Sequence, residues 1–333
     1  MAPLLEVRGL RVEFPTRRGT LVALDDVSFD IAPGEVLGVV GESGAGKSMT
    51  GAAIIGLLEP PGRIAAGQIL LNGRRIDNLA YDQMRRIRGK EIGAIFQDPL
   101  TTLNPLYTVG QQLVETIQTH LDLDAGAARR RAIGWLERVG IPAAAQRIDS
   151  YPHEFSGGMR QRVVIALALC AEPKLIVADE PTTALDVSIQ AQVIALLKGL
   201  ARDQGTSMML VTHDMGVIAE TADRVAVMYA GRIAEIGPVR EVVKHPKHPY
   251  SAGLMASIPP LDRRVETLAQ IDGSMPRLSA IPPGCAFNPR CPEVFGRCGV
   301  ERPDLLEAGA TRAACWLYEP ASAKQAPERM RHV

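Results

Sequence analysis

The segment Gly41-Glu-Ser-Gly-Ala-Gly-Lys47-Ser48 constrains the fold of this 333-residue chain more than any other part of the sequence. It fits the pattern G-x-x-x-x-G-K-[ST], whose glycines let successive backbone N–H groups face phosphate oxygens. The apolar run Val36–Val40 precedes the segment, and a helical pattern begins near Ser48. This context predicts a strand–loop–helix unit that places phosphates at a helix N-terminus. A Gly-rich turn with a chance lysine is the alternative.

The residues of this unit are predicted to surround phosphate and its metal ion. Lys47 supplies a positive charge to the β- and γ-phosphates, and the Ser48 hydroxyl is a predicted ligand of Mg²⁺. The full set is Gly41, Glu42, Ser43, Gly44, Ala45, Gly46, Lys47, Ser48 and Met49.

A second motif, Leu175-Ile-Val-Ala-Asp179-Glu180, is an apolar strand that ends in two acids. Asp179 is expected at the edge of the sheet near the phosphate loop, where it would hold Mg²⁺ directly or through water. Glu180 is expected to polarise an attacking water as a general base. Paired acids at an ordinary exposed strand end are the alternative.

Apolar strand-like runs alternate with helical patterns over about the first 240 residues, which predicts an α/β fold with a mostly parallel core sheet. The runs Leu4–Phe14 and Leu21–Ile31 predict an antiparallel hairpin before it. Expected core strands are Glu35–Val40, Gly93–Gln97, Lys174–Asp179 and Ser207–His213, and a later hairpin is expected at Arg224–Tyr229 and Arg232–Ile236.

A change of texture after about residue 240 suggests two domains. Prolines become frequent there and strand–helix alternation fades. We expect a first domain over residues 1–240 and a small loop-rich domain over residues 241–333, with a polar tail from about Glu319. Leu113–Val139 is expected to be helical and to belong to an inserted subdomain over about residues 98–165.

Composition limits the classes of protein to which this chain can belong. Hydrophobic residues make up 46% of the chain, which excludes wholesale disorder. The formal net charge is +0 and aromatic residues make up 4%, so a nucleic-acid partner is not expected. No apolar run is long enough to span a bilayer and no signal peptide is evident, so a cytoplasmic location is expected.

Three further segments complete a recognisable set. Gln97 follows a strand, Phe155-Ser-Gly-Gly-Met159 leads into a helix, and His213 ends a strand. Together with the phosphate loop, Asp179-Glu180 and Ala184-Leu-Asp186, they resemble the nucleotide-binding subunit of an ABC transporter. The resemblance implies an ABC-type P-loop ATPase fold, with a parallel core sheet, an antiparallel β subdomain and an inserted helical subdomain.

The sequence is most similar to the peptide/nickel-type importer ATPases, over roughly residues 4–318. The segments that carry this similarity are Tyr151-Pro-His-Glu-Phe-Ser-Gly-Gly-Met159, Asp179-Glu-Pro-Thr-Thr-Ala-Leu-Asp186, Val227-Met-Tyr-Ala-Gly231 and Lys247-His-Pro-Tyr250. The resemblance implies that residues 241–333 form the C-terminal extension of that group.

The resemblance also implies roles for single residues. Gln97 would reach Mg²⁺ and the attacking water, and the adjoining Asp98–Leu106 region would signal to a membrane subunit. His213 would contact the γ-phosphate. Ser156, Gly157 and Gly158 would serve the nucleotide held by a partner subunit, Asp186 would contribute to the same nucleotide sites, and Phe14 would stack on adenine.

Two of these roles have ordinary structural alternatives. Ser156 could simply cap a helix, a common use of serine. Phe14 could be a core residue of the first hairpin, because aromatic residues favour strands.

Four of the five cysteines, Cys285, Cys291, Cys298 and Cys315, have the spacing C-x₅-C-x₆-C-x₁₆-C. Soft thiolates bind Zn²⁺ and iron–sulfur clusters, but the tight pairs typical of structural zinc are missing. Resemblance to the peptide importer group implies a [4Fe–4S] cluster; zinc and unmetallated thiols remain alternatives. Cys170 lies in an apolar run and is expected to be a buried small hydrophobe.

The implied assembly is an ABC importer at the cytoplasmic face of the membrane. Its other parts would be two transmembrane permease subunits, a second ATPase subunit (a copy or a paralogue) and an extracytoplasmic solute-binding protein. The resemblance favours short peptides as cargo, with nickel, glutathione or another small solute as alternatives. A soluble ABC-type ATPase acting on nucleic acid or ribosomes is the competing class, and the tandem cassettes and basic surfaces it would need are absent from the sequence.

Overall fold

The computed structural model describes residues 2–182, 186–258 and 270–319, without the side chains of Pro99, Leu100 and Val187. Ala184 and Leu185, which belong to one of the sequence motifs, lie outside the described residues, as does the expected tail from residue 320 onward.

Twelve β-strands of the described chain form two sheets. In chain order they are β1 (Leu5–Thr16), β2 (Gly19–Ile31), β3 (Val36–Val40), β4 (Arg63–Leu71), β5 (Arg74–Arg75), β6 (Ile92–Ile95), β7 (Leu175–Asp179), β8 (Ser207–Val211), β9 (Arg224–Tyr229), β10 (Arg232–Pro238), β11 (Leu306–Ala308) and β12 (Thr311–Ala313).

The smaller sheet is antiparallel, with strand order β2-β1-β4-β5. The expected hairpin is present as β1 and β2, with Leu5 opposite Ile31. Alternate apolar residues of β1, such as Leu5 and Val7, are buried as period-2 patterning requires. Strands β4 and β5, which the sequence did not indicate, complete this sheet.

The larger sheet has eight strands in the order β11-β12-β10-β9-β3-β8-β7-β6. The strands from β9 to β6 are parallel, and β10, β12 and β11 add antiparallel pairs at one edge. All five residues of β3 are buried, as expected for a central strand covered on both faces. The carboxyl ends of β3, β6, β7 and β8 therefore meet at one edge of the sheet, where open α/β sheets bind ligands.

Eleven α-helices are present in the described chain. They are α1 (Lys47–Ile54), α2 (Tyr81–Ile87), α3 (Pro99–Thr102), α4 (Val109–His120), α5 (Ala125–Arg138), α6 (Ala144–Arg147), α7 (Gly157–Leu169), α8 (Val187–Gln204), α9 (Met215–Thr221), α10 (Val239–Lys244) and α11 (Pro249–Ala256). Short 3₁₀ turns lie at Pro152–Glu154, Asn288–Arg290, Gly296–Gly299 and Trp316–Tyr318.

The expected helical stretch Leu113–Val139 is two helices, α4 and α5, rather than one. Asp124 caps the N-terminus of α5 and so starts the second helix, because its side chain accepts a hydrogen bond from the N–H of Ala127 at 2.8 Å. The buried Trp135 anchors α5 in the core cluster that also contains residues of α4 and α7.

The C-terminal part of the chain returns to the core sheet. Strand β12 pairs with β10 through Glu235 opposite Ala313, and β11 pairs with β12. The boundary near residue 240 stays a prediction. In the part of the chain that the structure describes, no helix combines the length and apolar character needed to cross a bilayer.

Candidate nucleotide-binding site

The phosphate loop joins the end of β3 to the start of α1, as the motif predicts. Gly41 has φ 150°, and a Cβ there would lie 2.3 Å from the carbonyl oxygen of Met228. Gly46 has φ 104°, and its Cβ would lie 2.7 Å from Leu24 Cδ2. Both positions combine left-handed backbone with close packing, so no side chain fits at either.

Lys47 is buried and turns back over the loop. Its Nζ donates to the carbonyl oxygens of Gly41 at 2.8 Å and Glu42 at 3.1 Å. Burial lowers the pKa of Lys47, while the carboxylates of Glu180 and Asp179 oppose that change. A cation in these surroundings can bind an anionic ligand strongly because little water screens it.

Ser48 and Asp179 come together from the first turn of α1 and the end of β7. The Ser48 hydroxyl donates to Asp179 Oδ1 at 3.0 Å. Burial raises the pKa of Asp179, and the Ser48 hydrogen bond partly opposes this shift. A hydroxyl beside a half-buried carboxylate is an oxygen donor set that suits Mg²⁺, so these residues fit the predicted metal ligands.

Glu180 receives contacts from two other strand ends. Gln97 Nε2 donates to Glu180 Oε2 at 3.2 Å, and His213 Nδ1 lies 3.3 Å from Glu180 Oε1. Glu180 has φ 44°, a left-handed conformation that is uncommon for a residue other than glycine and is typical of functional sites. Two of the three expected catalytic side chains, Gln97 and His213, therefore converge on the carboxylate of the third, Glu180.

A cleft of about 510 Å³ brings these groups together. It is lined by Ala23, Ser43, Gly44, Gly46, Lys47, Ser48, Met49, Gln97, Glu180, His213 and Leu278. Ala23 and Leu278 were not predicted. No sequence motif marks Leu278, because it reaches the cleft from the loop-rich part of the chain through tertiary packing alone.

Phe14 is partly buried against the core cluster that also contains Leu24 and Ala53. It lines a second, apolar cavity with Ser48, Met49 and Asp179. Phe14 therefore lies beside the phosphate site and also packs as a hairpin residue, and its contact with adenine stays a prediction.

The Ser156-Gly157-Gly158 turn begins α7. Ser156 caps the helix, because its hydroxyl accepts from the N–H of Met159 at 3.4 Å. Within the described chain, the residues that line the cleft around Lys47 do not include this turn. Asp186 is exposed at the start of α8. Contacts of either segment with a partner's nucleotide stay predictions.

The four clustered cysteines are free thiols. The N–H of Cys285 donates to the carbonyl oxygen of Cys298 at 2.8 Å, and Cys285, Cys291 and Cys298 each raise the pKa of Cys315. Burial is the main cause of these shifts, which take Cys291 to a pKa of about 11 and Cys315 to about 12. Among the described residues, no three His, Cys, Asp or Glu side chains are placed to hold a metal ion. The described geometry thus supports neither the iron–sulfur nor the zinc prediction.

Cys170 is fully buried, as expected for a small core residue, and burial raises its pKa to about 12.

Two family models match the sequence. The model described as "ABC transporter" matches residues 24–183. The model described as "Oligopeptide/dipeptide transporter, C-terminal region" matches residues 234–298, which include Cys285, Cys291 and Cys298.

Curated relatives match nearly the whole chain. The dipeptide transport ATP-binding protein DppD of Bacillus subtilis (strain 168) is 47% identical, with 96% of each chain covered. The oligopeptide transport ATP-binding protein AppD of the same organism is 45% identical over 98% of this chain and 100% of the relative. A putative peptide import ATP-binding protein of Brucella melitensis is 49% identical over 91% and 93% of the two chains.

Solved structures share the fold. A dimeric post-hydrolysis state of the ATP-binding cassette MJ0796, bound to ADP and Pi, is 27% identical with a TM-score of 0.64. The match covers 71% of this chain and 99% of that one. The cbiO1 protein of Clostridium perfringens, part of the cbiONQ transporter complex, is 29% identical with a TM-score of 0.63 over 74% and 92% of the two chains.

Proposed function

This chain belongs to the ABC transporter family of ATP-binding proteins and carries the oligopeptide/dipeptide transporter C-terminal region, and from that premise we propose that it powers the import of short peptides. It is an ABC-type ATPase. The observation that carries the assignment of its site is the convergence of Gln97 and His213 on Glu180, in the cleft that also contains Lys47 and Ser48.

The reaction is attack of a water oxygen on the γ-phosphorus, with cleavage of the bond to the β–γ bridging oxygen and departure of ADP. Glu180 accepts the proton of the attacking water. Gln97 orients that carboxylate and the water, and His213 contacts the γ-phosphate. Lys47 and the backbone N–H groups of the phosphate loop stabilise the charge that develops on the phosphoryl oxygens.

Ser48, Asp179 and Gln97 are the residues that would hold Mg²⁺. Bound Mg²⁺ neutralises charge on the β- and γ-phosphates. The Ser48 hydroxyl donates to Asp179, so an oxygen atom of each residue lies within 3.0 Å of the other.

A complete site requires a second protomer. Ser156, Gly157 and Gly158 offer N–H groups and a helix N-terminus that suit an anion, yet within the described chain they lie outside the cleft around Lys47. We infer that they, together with Asp186, act on nucleotide held by the partner. The solved cassette that is similar to this chain is itself described as dimeric.

Coupling to transport follows from closure and opening of the ATPase pair. The partners we propose are two permease subunits, a second ATPase subunit that is a copy or a paralogue, and an extracytoplasmic solute-binding protein. Two relatives are named for dipeptide and oligopeptide transport, which favours peptides over nickel or glutathione as cargo. The chain would act at the cytoplasmic face of the membrane, with residues 1–240 as the ATPase domain and residues 241–333 as the extension.

For the extension we propose a [4Fe–4S] cluster on Cys285, Cys291, Cys298 and Cys315. The support for this proposal is the chemistry of four thiols within one loop-rich segment, not their described arrangement, because soft sulfur ligands select iron–sulfur clusters or zinc. Protein purified without oxygen should be brown and contain iron and sulfide. Colourless protein with one zinc per chain would replace the cluster by zinc, and metal-free protein would reject both.

The function is tested by purifying the tagged chain from solubilised membranes of its own cells. Two permeases and a second ATPase should copurify, and the ligand of the associated solute-binding protein should be a short peptide. Recovery with ribosomes or nucleic acid, and with no permease, would contradict the proposal. Recovery of nickel or glutathione would change the cargo alone.

A further inference from the structure

The backbone N–H, the carbonyl oxygen and the side-chain carboxylate of Glu42, in the phosphate loop, all form hydrogen bonds or ion pairs. Its carbonyl oxygen accepts from Lys47, and its N–H donates to the hydroxyl of Tyr250 at 2.9 Å. Its carboxylate accepts from Arg290, with Nη1 at 3.1 Å from each of the two oxygens. Tyr250 and Arg290 both belong to the C-terminal extension, so two of the three contacts come from outside the ATPase domain.

Arg290 is held firmly on its other sides. Its side chain is 7% exposed and lies over the rings of Tyr229 and Phe287. Its Nε donates to the carbonyl oxygen of Asp272 at 2.7 Å. A guanidinium fixed in this way can orient a carboxylate, because Nε and Nη2 hold its plane against the carbonyl oxygens of Asp272 and Ile271 and leave Nη1 facing Glu42.

Tyr250 is equally constrained. It is fully buried in α11, and its ring meets those of Tyr229 and Phe287 at centroid distances of 4.6 and 5.4 Å. Its hydroxyl therefore has little freedom to follow the loop if Glu42 moves.

The extension also covers the loop with apolar atoms. Met275 Cγ lies 3.9 Å from the position of a Cβ on Gly44, and Leu278 lines the cleft itself. The segment that contains both residues thus lies over the same loop that Arg290 contacts.

We propose that Arg290, assisted by Tyr250, is a positioning residue of the ATP site, which fixes Glu42 and thereby the phosphate loop and Lys47 in the conformation that binds the triphosphate. This inference rests on the proposed function. Neither residue touches the nucleotide. The extension would then set the affinity for ATP directly, in addition to any role in assembly.

The link to Lys47 gives the reason. Lys47 donates to the carbonyl oxygen of Glu42, so a shift of Glu42 moves one of the two acceptors that aim the ammonium group. Loss of Arg290 would also leave the Glu42 carboxylate without its cation, and an unpaired negative charge beside the phosphates opposes the binding of ATP.

The test is equilibrium binding of MgATP by calorimetry to the full-length protein in a Glu180→Gln background, where hydrolysis is slow, together with KM and kcat of the protein that retains Glu180. Arg290→Met should raise the Kd for MgATP about tenfold, within the usual range of coupling between sites. KM should rise with it, while kcat changes less than about threefold. The Kd of Arg290→Lys should lie between those of the wild type and Arg290→Met. A lysine ammonium can pair with Glu42 but cannot also keep the contacts to the carbonyl oxygens of Asp272 and Ile271.

Two further variants separate positioning from folding. Glu42→Gln alters only the loop and leaves no unpaired carboxylate, so its Kd should rise, though less than that of Arg290→Met. The double variant should bind MgATP no more weakly than Arg290→Met alone, since both changes remove the same interaction. Arg302→Met is the matched control: it removes another ion pair between the extension and the first domain, with Asp25, and should leave the Kd unchanged.

Wild-type affinity in folded Arg290→Met, or additive effects in the double variant, would overturn the inference. If Arg290→Met does not fold, Glu42→Gln decides alone, and unchanged affinity in that variant would overturn it. Failure of the parent protein to bind ATP, with Lys47→Ala no different from it, would instead defeat the proposed function.

Discussion

Gln97 and Glu180 form a hydrogen bond of 3.2 Å between side chains that follow the neighbouring strands β6 and β7. Gln97 also directly precedes the Asp98–Leu106 segment, which is expected to signal to a membrane subunit. Movement of that segment would therefore change the orientation of the Glu180 carboxylate, and with it the activation of water. In the proposed importer, this contact is the route by which a permease would start or stop hydrolysis.

Replacement of the base should separate binding from hydrolysis. Glu180→Gln keeps the size of the side chain but cannot accept the proton of water, so phosphate release should fall about 10²–10⁴-fold. MgATP should still bind and should hold two protomers together, as seen by size-exclusion chromatography. Glu115→Gln, an exposed acid on α4, should hydrolyse ATP at the normal rate. Normal turnover of Glu180→Gln would remove Glu180 from the mechanism.

The shared-site arrangement predicts a variant that binds ATP but does not turn it over. Gly157→Arg leaves the Ser156 cap intact and places a bulky cation on the exposed start of α7. Affinity of the single protomer should stay within about twofold, while hydrolysis should fall by about 10²-fold or more because the site loses preorganised donors.

Gly134→Arg is the matched control, since a Cβ at Gly134, within α5, meets no atom within 4 Å. It should hydrolyse ATP normally. Full activity of Gly157→Arg would show that α7 does not face a nucleotide.

The Ser48 hydroxyl should matter only when magnesium is present. Ser48→Ala removes a proposed metal ligand and the hydrogen bond to Asp179, so affinity for MgATP should fall about tenfold. Affinity for ATP measured in excess chelator should equal that of the wild type. An equal loss of affinity in both conditions would show that Ser48 contacts phosphate rather than the metal.

Buried His248 should make stability depend on pH. Burial lowers its pKa to about 4, and an unfolded histidine titrates near 6.5. Between these values the unfolded chain binds more protons than the folded chain, so stability falls as pH falls. From about pH 7 to pH 5 the free energy of unfolding should drop by about 2 kcal/mol from this residue alone.

His248→Asn retains an acceptor for the N–H of Tyr250, which His248 Nδ1 now accepts at 3.0 Å. Urea unfolding at the two pH values should show a smaller drop for His248→Asn than for wild type. His153→Asn, at an exposed histidine, should keep the wild-type difference. Identical drops in all three proteins would contradict the assignment.

Local patterns in the sequence predicted much of the fold. Each of the four expected core strands appears within a few residues of its predicted position, since each is a short apolar run ended by a motif. The hairpin β9–β10 turns at Ala230 and Gly231 as expected, and both have positive φ. The break between α4 and α5 was missed, although Asp124 is an ordinary capping residue.

Contacts between distant segments could not be predicted. Strand β4 contains exposed residues, including Arg63 and Ala66, so its alternation is weak and its pairing with β1 is set by tertiary packing. The contact between Arg290 and Glu42 has the same origin. Nothing in either local sequence specifies the other, because the pair forms only when the extension folds back on the phosphate loop.

The ladder between β12 and β10 has a consequence for anyone who would trim this protein. In a fragment that stops at residue 240, the backbone N–H and C=O groups of β10 that face β12 would be unpaired. Such an exposed edge strand can pair with strands of other chains. It would also strip the buried Glu235 of its donors from Lys247, His248 and Thr311. Fragments that end at residue 240 should therefore aggregate rather than act as a minimal ATPase domain.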